Sequence, residues 1–417
     1  MPWSRTRRRR SSRGPRAAKR SRRNLLQPIA AGLVSVITGF ASSFVLVIAG
    51  LQAVGATPEQ ASSGLLVLSV LTGLCCIGLA WRFRIPISFA WSTPGAALLV
   101  AASATTGDFR AAVGAFLVCG LLIVLCGLWP ALGRAITSIP RPLAGAMLAG
   151  ILFPICVAPI TAAVEVPWLA LPVIGVWLVL FRLAPRWAVP AAMLTAVIAI
   201  LVSAGTGWLD QAHVAPSLQF VLPSFDPLVI VGLGLPLFIV TMAGQNVPGF
   251  AVMSTFGYTV PPRAALVTSG AATAVGSFFG GHALNLAAIT AAIMAGPDAH
   301  PDRSKRWIAS FTAGIGWVVL GLGAGVATAL IGAAPPVLIT AVAGLALLGA
   351  LVTAVGNALE EPGQRIPAIA TFLVTASGVS ILGIGSAFWG LVVGALIMLW
   401  AAFPWRRRHA TEEPAKP

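Results

Sequence analysis

The sequence predicts an all-α polytopic membrane protein of about fourteen transmembrane segments, arranged as a 7+7 inverted repeat with two broken spans. Three observations support this fold class. Of the 417 residues, 58% are hydrophobic and 9% are charged, and the mean hydropathy is +0.92. Apolar runs of roughly 17 to 25 residues, each long enough to cross a bilayer, recur from Leu25 to Phe403. Paired features also recur in the two halves of the chain at a nearly constant separation.

The distribution of basic residues orients these spans. If the N-terminal tail is cytoplasmic, the loops on that side carry nearly all loop arginines and lysines, and the opposite loops carry only Arg110. This asymmetry follows the positive-inside rule and predicts that both termini are cytoplasmic. The predicted spans are 25–50, 60–81, 86–103, 111–129, 142–163, 167–181, 187–206, 227–245, 263–280, 282–296, 307–331, 336–355, 366–383 and 386–403.

The net charge of +16 is concentrated at the N-terminus, because eleven of the 27 lysines and arginines lie in the first 23 residues. An arginine-rich tail can bind nucleic acid, but we interpret residues 1–24 as a disordered cytoplasmic tail that fixes orientation and contacts anionic lipid. An extension from an upstream start codon is another explanation. Residues 404–417 form a second predicted cytoplasmic tail.

Two predicted repeats, 25–206 and 227–403, flank a polar extracytoplasmic linker at 207–226. Several features recur 194 positions apart, namely Pro142 and Pro336, Gly150 and Gly344, and Asp108 and Asp302, while Ser92 and Asn285 are 193 apart. Because seven is odd, the second repeat must be inverted relative to the first, as in many secondary transporters.

A broken span is predicted at 86–103. It begins with a short strand-like run and continues through the sequence Ser-Thr-Pro-Gly, which starts at Ser92, into an apolar segment. Serine and threonine are favourable helix N-caps, and proline is tolerated in the first turn. We therefore expect a strand followed by a half-helix whose N-cap is Ser92 or Thr93. An ordinary proline-kinked membrane helix is the alternative.

The second broken span is predicted at 282–296. A glycine-rich, aromatic stretch precedes it, and the residues after Asn285 are alanine, isoleucine, leucine, threonine and methionine. We expect a half-helix with Asn285 as its N-cap, although a glycine-kinked helix is again the alternative. Broken backbone at membrane depth is tolerated only where it faces protein or a cavity, so the two broken spans together mark a binding site.

Two helix N-termini that face each other near the midplane favour an anion, and a carboxylate is the simplest organic one. No aspartate or glutamate lies in the middle of a predicted span, which leaves His282 as the candidate proton carrier at that depth. The alternatives are that His282 is a neutral structural residue bonded to backbone, or that the substrate carboxylate itself carries the proton.

Other polar side chains are candidates for the same site. Gln245 and Asn246 bring amides to a point where the following Pro-Gly pair is expected to break the helix, and they line either a site or a helix contact. Ser42 and Ser43 can bind substrate or their own helix backbone. Phe40 can wall an aromatic ring, or it can simply pack in the core.

Several function classes lack their signatures. The sequence contains no H-E-x-x-H, G-x-S-x-G, Walker or cofactor motif, which argues against an enzyme. A channel would need a continuous polar pore lining, whereas the polar positions here are isolated. The five cysteines lie in apolar runs without metal-ligand spacing, so we interpret them as packing residues.

Four stretches, 90–97, 241–249, 280–292 and 296–301, resemble the benzoate:proton symporter (BenE) family of bacterial inner membranes, and the likeness extends over nearly all of 25–403. The resemblance implies import of benzoate with a proton. It also implies the inverted fold shared with uracil and sulfate transporters, in which a core domain moves against a gate domain. The sequence departs from the family pattern at Gly244 and at 253–257.

From the residues and the resemblance together, we expect a small aromatic carboxylate and a proton as the transported species. Helix N-termini at Ser92, Thr93 and Asn285 would receive the carboxylate, the amides of Gln245 and Asn246 would complete its hydrogen bonds, and His282 would couple the proton. A nucleobase or inorganic-anion carrier of the same fold is the runner-up. The bilayer is the expected environment, with no nucleic-acid partner and no cofactor, and the sequence leaves open whether two copies form a homodimer.

Overall fold

The computed structural model describes residues 15–103, 107–205, 215 and 217–402. The chain is a series of helices with two short strands, each of which directly precedes a short helix. In chain order they are α1 (Pro15–Ala41), α2 (Phe44–Ala53), α3 (Pro58–Phe83), β1 (Phe89–Trp91), α4 (Thr93–Ala101), α5 (Phe109–Leu128), α6 (Pro130–Thr137), α7 (Arg141–Glu165), α8 (Pro167–Leu183), α9 (Pro185–Ala204), α10 (Pro227–Thr255), α11 (Pro262–Ser277), β2 (Leu284–Leu286), α12 (Ala288–Ala295), α13 (Trp307–Gly321), α14 (Ala324–Gly332), α15 (Pro336–Leu359), α16 (Arg365–Ala376) and α17 (Ser386–Ala402).

The predicted α-helical membrane fold is confirmed, and every predicted span overlaps at least one helix. Among the residues that the structure describes, seven segments are long and apolar enough to cross a membrane, and an eighth results if α13 and α14, bent by 54°, count as one span. The number of fourteen crossings stays a prediction. Because α1 begins at Pro15, residues 15–24 are helical, which differs from the predicted disordered tail. Residues 1–14, the last residue of the first predicted repeat (206), most of the first half of the linker (207–214 and 216) and the C-terminal tail 404–417 lie outside the described residues.

Helix α10 corrects one expectation, because it does not end at the Pro-Gly pair Pro248 and Gly249. It runs on to Thr255 through two π-helical segments, Ile230–Gly234 and Met242–Asn246. Each π segment ends two residues before a proline, Pro236 or Pro248. Proline lacks an N–H, and its ring clashes with the carbonyl four residues earlier. A local widening to the π form relieves that clash, so the helix continues.

Strands β1 and β2 form an antiparallel two-stranded ladder in which Ala90 pairs with Asn285. Helices on both sides hold its outer edges. The Leu284 N–H donates to Thr273 Oγ1 of α11 at 2.9 Å, and the Phe89 N–H donates to Cys76 Sγ of α3 at 3.3 Å. A ladder of three residues per strand is too short to be stable alone, so these helix contacts fix its position.

Close helix packing surrounds this ladder. Helices α3 and α13 approach backbone to backbone at Gly73 and Gly314, and α5 packs along α11. A second set of contacts joins α7 to α15, where Gly344 lies against the carbonyl of Ile155 with no room for a side chain. Small residues at helix crossings are typical of membrane bundles, because packing rather than hydrophobic burial drives association in lipid.

The described part of the linker crosses the ends of three helices beside β2. The Gln219 N–H donates to Ser63 Oγ of α3 at 2.9 Å, the Val221 N–H to Phe278 O at 2.7 Å, and the Ser224 N–H to Arg110 O at 2.9 Å. The bond to Phe278 O holds the glycine-rich segment that leads into β2, and the other two join the linker to α3 and α5.

Candidate functional site

The two predicted broken spans are present, and each consists of a strand followed directly by a half-helix. The ladder extends by one bond at each end, because the Ser92 N–H donates to Ala283 O at 2.8 Å and the Ala287 N–H donates to Ser88 O at 3.0 Å. Since the strands are antiparallel, α4 and α12 leave the ladder in opposite directions. Their N-termini therefore point at the ladder from its two ends.

The N-terminus of α4 has the predicted cap. Ser92 is fully buried, and its Oγ accepts a hydrogen bond from the Gly95 N–H at 3.1 Å. The Thr241 hydroxyl of α10 donates to the same Oγ at 3.0 Å. Thr93 is the first helical residue and is half-buried, while Pro94 has no N–H to satisfy. The Thr93 N–H is thus the one donor of this first turn without a capping partner among the described residues.

The N-terminus of α12 differs from the prediction. Asn285 lies in β2, and the N-cap residue is Ala287, which provides no side-chain cap. The expectation of Asn285 as N-cap was wrong because Leu286 pairs with Phe89 and prolongs the strand past the asparagine. The first N–H groups of a helix have no intrahelical partner, so those of Ala288, Ile289 and Thr290 are donors that the helix itself leaves unbonded.

Asn285 remains at the centre of the ladder, with 1% of its surface exposed. Its Nδ2 donates to Leu286 O at 2.8 Å, whereas its Oδ1 is buried and has no partner among the described residues. A buried polar atom without a partner costs free energy, so such atoms concentrate where a ligand or water completes them.

His282 is fully buried in the extended segment before β2. Its Nδ1 lies 3.2 Å from Ala283 O, its ring packs edge-on to Phe116 with centroids 6.4 Å apart, and its Nε2 has no partner in the described part of the chain. The described residues include no hydrogen bond between the side chains of His282 and Asn285. Within the described ranges, the His282 side chain forms no hydrogen bond with Ser92, Thr93 or Gln245.

The two amides of α10 have different surroundings. Asn246 is fully buried, and its Oδ1 accepts from the Leu286 N–H at 2.9 Å while its Nδ2 points to Met242 Sδ at 3.2 Å. It therefore ties the π segment to β2. Gln245 is half-buried and makes no hydrogen bond to any described residue, which leaves its amide free. Gly244 beside it faces Leu148 of α7.

The first span breaks at Ser42 and Ser43, between α1 and α2. Both hydroxyls donate to Gly39 O, at 2.9 and 3.1 Å, which is the backbone alternative considered for them. Ser43 Oγ also accepts from Trp91 Nε1 at 2.8 Å. The break in α1 is thus joined to the end of β1.

An aromatic cluster lies next to this break. Phe40 is half-buried, and its ring centroid lies 5.5 Å from that of Trp91 and 6.0 Å from that of Trp317. The sequence analysis did not identify Trp317 as a site residue, because in the sequence it is simply a tryptophan in an apolar span. The only signal that could have found it is Gly39, whose missing side chain admits the indole.

The described residues hold no group of three or more histidine, cysteine or acidic side chains that could bind a metal ion. All five cysteines are buried and free, in agreement with the packing interpretation. Chemically, the arrangement offers backbone N–H groups at α12, a free amide at Gln245 and an aromatic side chain at Phe40, which suit an aromatic anion. The buried acceptor Asn285 Oδ1 can bind only a donor, such as a protonated carboxyl or a water.

Comparisons with known proteins agree on one family. The profile of the BenE family, described as benzoate membrane transport protein, matches residues 24–399. The chain is 38% identical to the inner membrane protein YdcO of Escherichia coli over 370 residues, which covers 88% of this chain and 93% of that protein. It is 32% identical to the benzoate membrane transport protein of Acinetobacter baylyi over 372 residues, with coverages of 88% and 93%.

Solved structures with the same fold include the transmembrane domain of the cyanobacterial bicarbonate transporter BicA. The TM-score is 0.57 at 16% identity, and the match covers 91% of this chain and 98% of that one. A second is the murine anion transporter Slc26a9 in its inward-facing state, with a TM-score of 0.52 at 15% identity over 94% of this chain and 73% of that chain. At these identities the likeness concerns the fold alone.

Proposed function

This chain belongs to the benzoate membrane transport protein family, BenE, and is therefore a membrane transport protein; from that premise we propose that it imports benzoate or a related aromatic carboxylate with a proton. The observation that carries the proposal is the uncapped N-terminus of α12 beside the buried, unpartnered Oδ1 of Asn285. The Acinetobacter baylyi relative, named a benzoate transport protein, supports the choice of substrate.

The carboxylate would bind at the start of α12. Three N–H groups there lack a side-chain cap, and the positive end of the helix dipole favours a negative group. The free amide of Gln245 would add a hydrogen bond, whereas the Thr93 N–H lies at the opposite end of the ladder and would not reach the same carboxylate. Asn285 Oδ1 is an acceptor, so it would take a proton from a protonated carboxyl or from a bound water.

The aromatic ring would pack on Phe40. Trp91 and Trp317 pack against the Phe40 ring, and the hydrogen bond to Ser43 Oγ fixes the Trp91 indole. Rings in such offset or edge contacts gain about 0.5–1.5 kcal/mol beyond the area they bury. This wall favours a benzoate over a small inorganic anion.

Proton coupling has two candidate carriers, His282 and the carboxyl group of the substrate. His282 Nε2 is buried and unpartnered, and in the tautomer whose Nδ1–H donates to Ala283 O this nitrogen is free to accept a proton. Among the described residues its side chain bonds to none of the groups proposed to hold the carboxylate, so it would act as a proton carrier and not as a substrate ligand.

Alternating access would follow from movement of the α7 and α15 set of helices against the helices that hold the ladder. The contact of Gly244 with Leu148 lies on that boundary. We also propose that residues 25–206 and 227–403 form inverted repeats with both termini cytoplasmic, as the loop charges predict.

Substrate choice is tested by counterflow with the purified full chain in proteoliposomes. We expect labelled benzoate to exchange, substituted benzoates to compete, and uracil and sulfate to have no effect. Competition by uracil or sulfate with no benzoate exchange would replace this proposal with the nucleobase or inorganic-anion alternative.

The coupling role is tested by His282→Gln, which keeps a polar side chain but cannot carry a proton. We expect accumulation of benzoate driven by a pH gradient to disappear, while exchange continues. His300→Gln is the matched control, because His300 is also buried but lies in the loop after α12. Unchanged accumulation in His282→Gln would assign the proton to the substrate carboxyl.

A further inference from the structure

Arg306 is the only lysine or arginine that is buried among the side chains the structure describes, with 6% of its surface exposed. It directly precedes α13, after the loop that follows α12. A buried cation without a counter-charge is costly, so proteins keep one only where other groups stabilise it. The groups that stabilise Arg306 are backbone carbonyls.

Two hydrogen bonds hold the guanidinium. Its Nε donates to His300 O at 2.6 Å, and its Nη1 donates to Ala295 O at 2.7 Å. Ala295 is the last residue of α12, so Arg306 caps the C-terminal end of the same half-helix whose N-terminus is open. In the described part of the chain its guanidinium forms no ion pair, and Asp298 pairs instead with Arg186 at 3.5 Å.

The charge of Arg306 therefore lies in line with α12. The half-helix has 8 residues, which makes it about 12 Å long at 1.5 Å per residue. The described spans place no other buried lysine or arginine near the ladder. Over such a distance in protein, where screening is weak, one unit charge still attracts an anion measurably.

We propose that Arg306 is a positioning residue that supplies the positive charge of the transport site through α12. It holds the C-terminal end of the half-helix, and its unbalanced charge raises the affinity of the N-terminus for an anion. This inference rests on the proposed function only in placing the substrate anion at the start of α12.

The test compares Arg306→Gln, Arg306→Met and Arg306→Lys in proteoliposomes of the full chain, with benzoate as the probe. The glutamine and methionine variants remove the charge, and the lysine variant keeps it while losing the planar fork. Arg303→Gln is the matched control, since Arg303 lies in the same loop and also donates to a backbone carbonyl, Gly257 O, but is exposed.

We expect the KM for benzoate to rise about tenfold in both neutral variants, which corresponds to about 1.4 kcal/mol, with the maximal rate changed less. The lysine variant and Arg303→Gln should stay within about threefold of wild type, because a distant charge on exposed Arg303 is screened. Thermal unfolding identifies variants that do not fold. If one neutral variant does not fold, the other neutral variant provides the measurement of KM.

An unchanged KM in the folded neutral variants would overturn the inference, and so would a lysine variant as impaired as they are. An equal rise in the KM for Arg303→Gln would mean that Arg306 acts only as one of many loop charges, and this result would also overturn the inference. If wild type transports sulfate and not benzoate, the proposed function fails, and the same series with sulfate still tests Arg306.

Discussion

The two half-helices that start at the ladder, α4 and α12, differ in how their first turns are satisfied. In α4 the Ser92 hydroxyl caps Gly95, a proline removes another donor, and Ser92 is fully buried. In α12 the N-cap is Ala287, no side chain caps the turn, and Ile289 is 75% exposed. The start of α4 is satisfied by its own residues except at the Thr93 N–H, whereas the start of α12 is open.

The two helix starts therefore contribute differently, α4 to the stability of the fold and α12 to substrate binding. A serine cap stabilises a helix by about 0.5–2 kcal/mol relative to alanine, so α12 lacks a stabilisation that α4 has. Open donors at membrane depth persist only where a ligand, water or protein partner satisfies them. We infer that α4 fixes the ladder while α12 receives the substrate, although the sequence pattern assigned both helices the same role.

The largest predicted effect comes from closing α12 with a fixed negative charge. In Ala287→Asp the carboxylate would bind the N–H groups that the substrate needs and would repel its charge. Like charges about 6 Å apart at an effective dielectric constant of 20 cost roughly 2.8 kcal/mol, or about 100-fold in uptake. Benzoate uptake in proteoliposomes measures the loss, and thermal unfolding should show no loss of stability.

Ala287→Asn is the matched control, since asparagine caps equally well without a charge. We expect its uptake to fall by less than about tenfold, because only one or two donors are lost. Normal uptake in the aspartate variant would mean that the substrate binds elsewhere, and the functional difference between α4 and α12 would disappear.

The next largest effect concerns the centre of the ladder. Asn285→Leu removes the unpartnered Oδ1, and we expect the KM for benzoate to rise about tenfold, as for loss of one good hydrogen bond in a buried site. Asn246→Leu is its counterpart, because it frees the Leu286 N–H and should lower thermal stability instead. A wild-type KM in Asn285→Leu would remove this residue from the site.

The start of α4 was easier to predict from the sequence than the start of α12. The sequence Ser-Thr-Pro-Gly contains its own cap and helix start, so local chemistry alone places the start of α4 at Thr93. The start of α12 was misplaced because it depends on pairing between Leu286 and Phe89, residues that are distant in the chain. Local preference for asparagine as a cap was overridden by that pairing.

Long-range packing also explains what the sequence analysis missed in the site. The contact of Thr241 with Ser92, the wall formed by Trp317, and the bond from Asn246 to β2 all join separate spans. Pro248 was expected to end α10, whereas a π segment absorbs it. The broken spans were predictable because glycine, proline and cap residues act locally, while side-chain partners were not.

A smaller effect is expected from opening α4. Ser92→Ala should lower the free energy of unfolding by about 0.5–2 kcal/mol, because the Gly95 N–H loses its cap. Thr241→Val removes the second bond to Ser92 without touching the cap, so it should cost less. Denaturation of the purified variants measures both. A Ser92→Ala variant with wild-type stability but a greatly raised KM would make α4 a binding element like α12.

The smallest effect lies beyond the far end of α12, where Asp302 caps the short turn Arg303–Lys305 that leads to Arg306. Hydrogen bonds from the Ser304 side chain and backbone lower the pKa of the exposed Asp302 carboxyl below its ordinary value of 3.8. A carboxyl with a lowered folded-state pKa stabilises the fold above the unfolded-state value, and this contribution is lost as pH falls through the lowered pKa.

Between pH 5 and 8 the cap should therefore be constant, and only below about pH 4 should the loop open. Hydrogen–deuterium exchange of a peptide covering 299–307 is the measurement, compared between wild type and Asp302→Asn. Asparagine caps without titrating, so the difference between the two proteins should be small at neutral pH and grow in acid. Equal acid sensitivity in both would mean that Asp302 does not hold the loop, and that Arg306 alone anchors the closed end of α12.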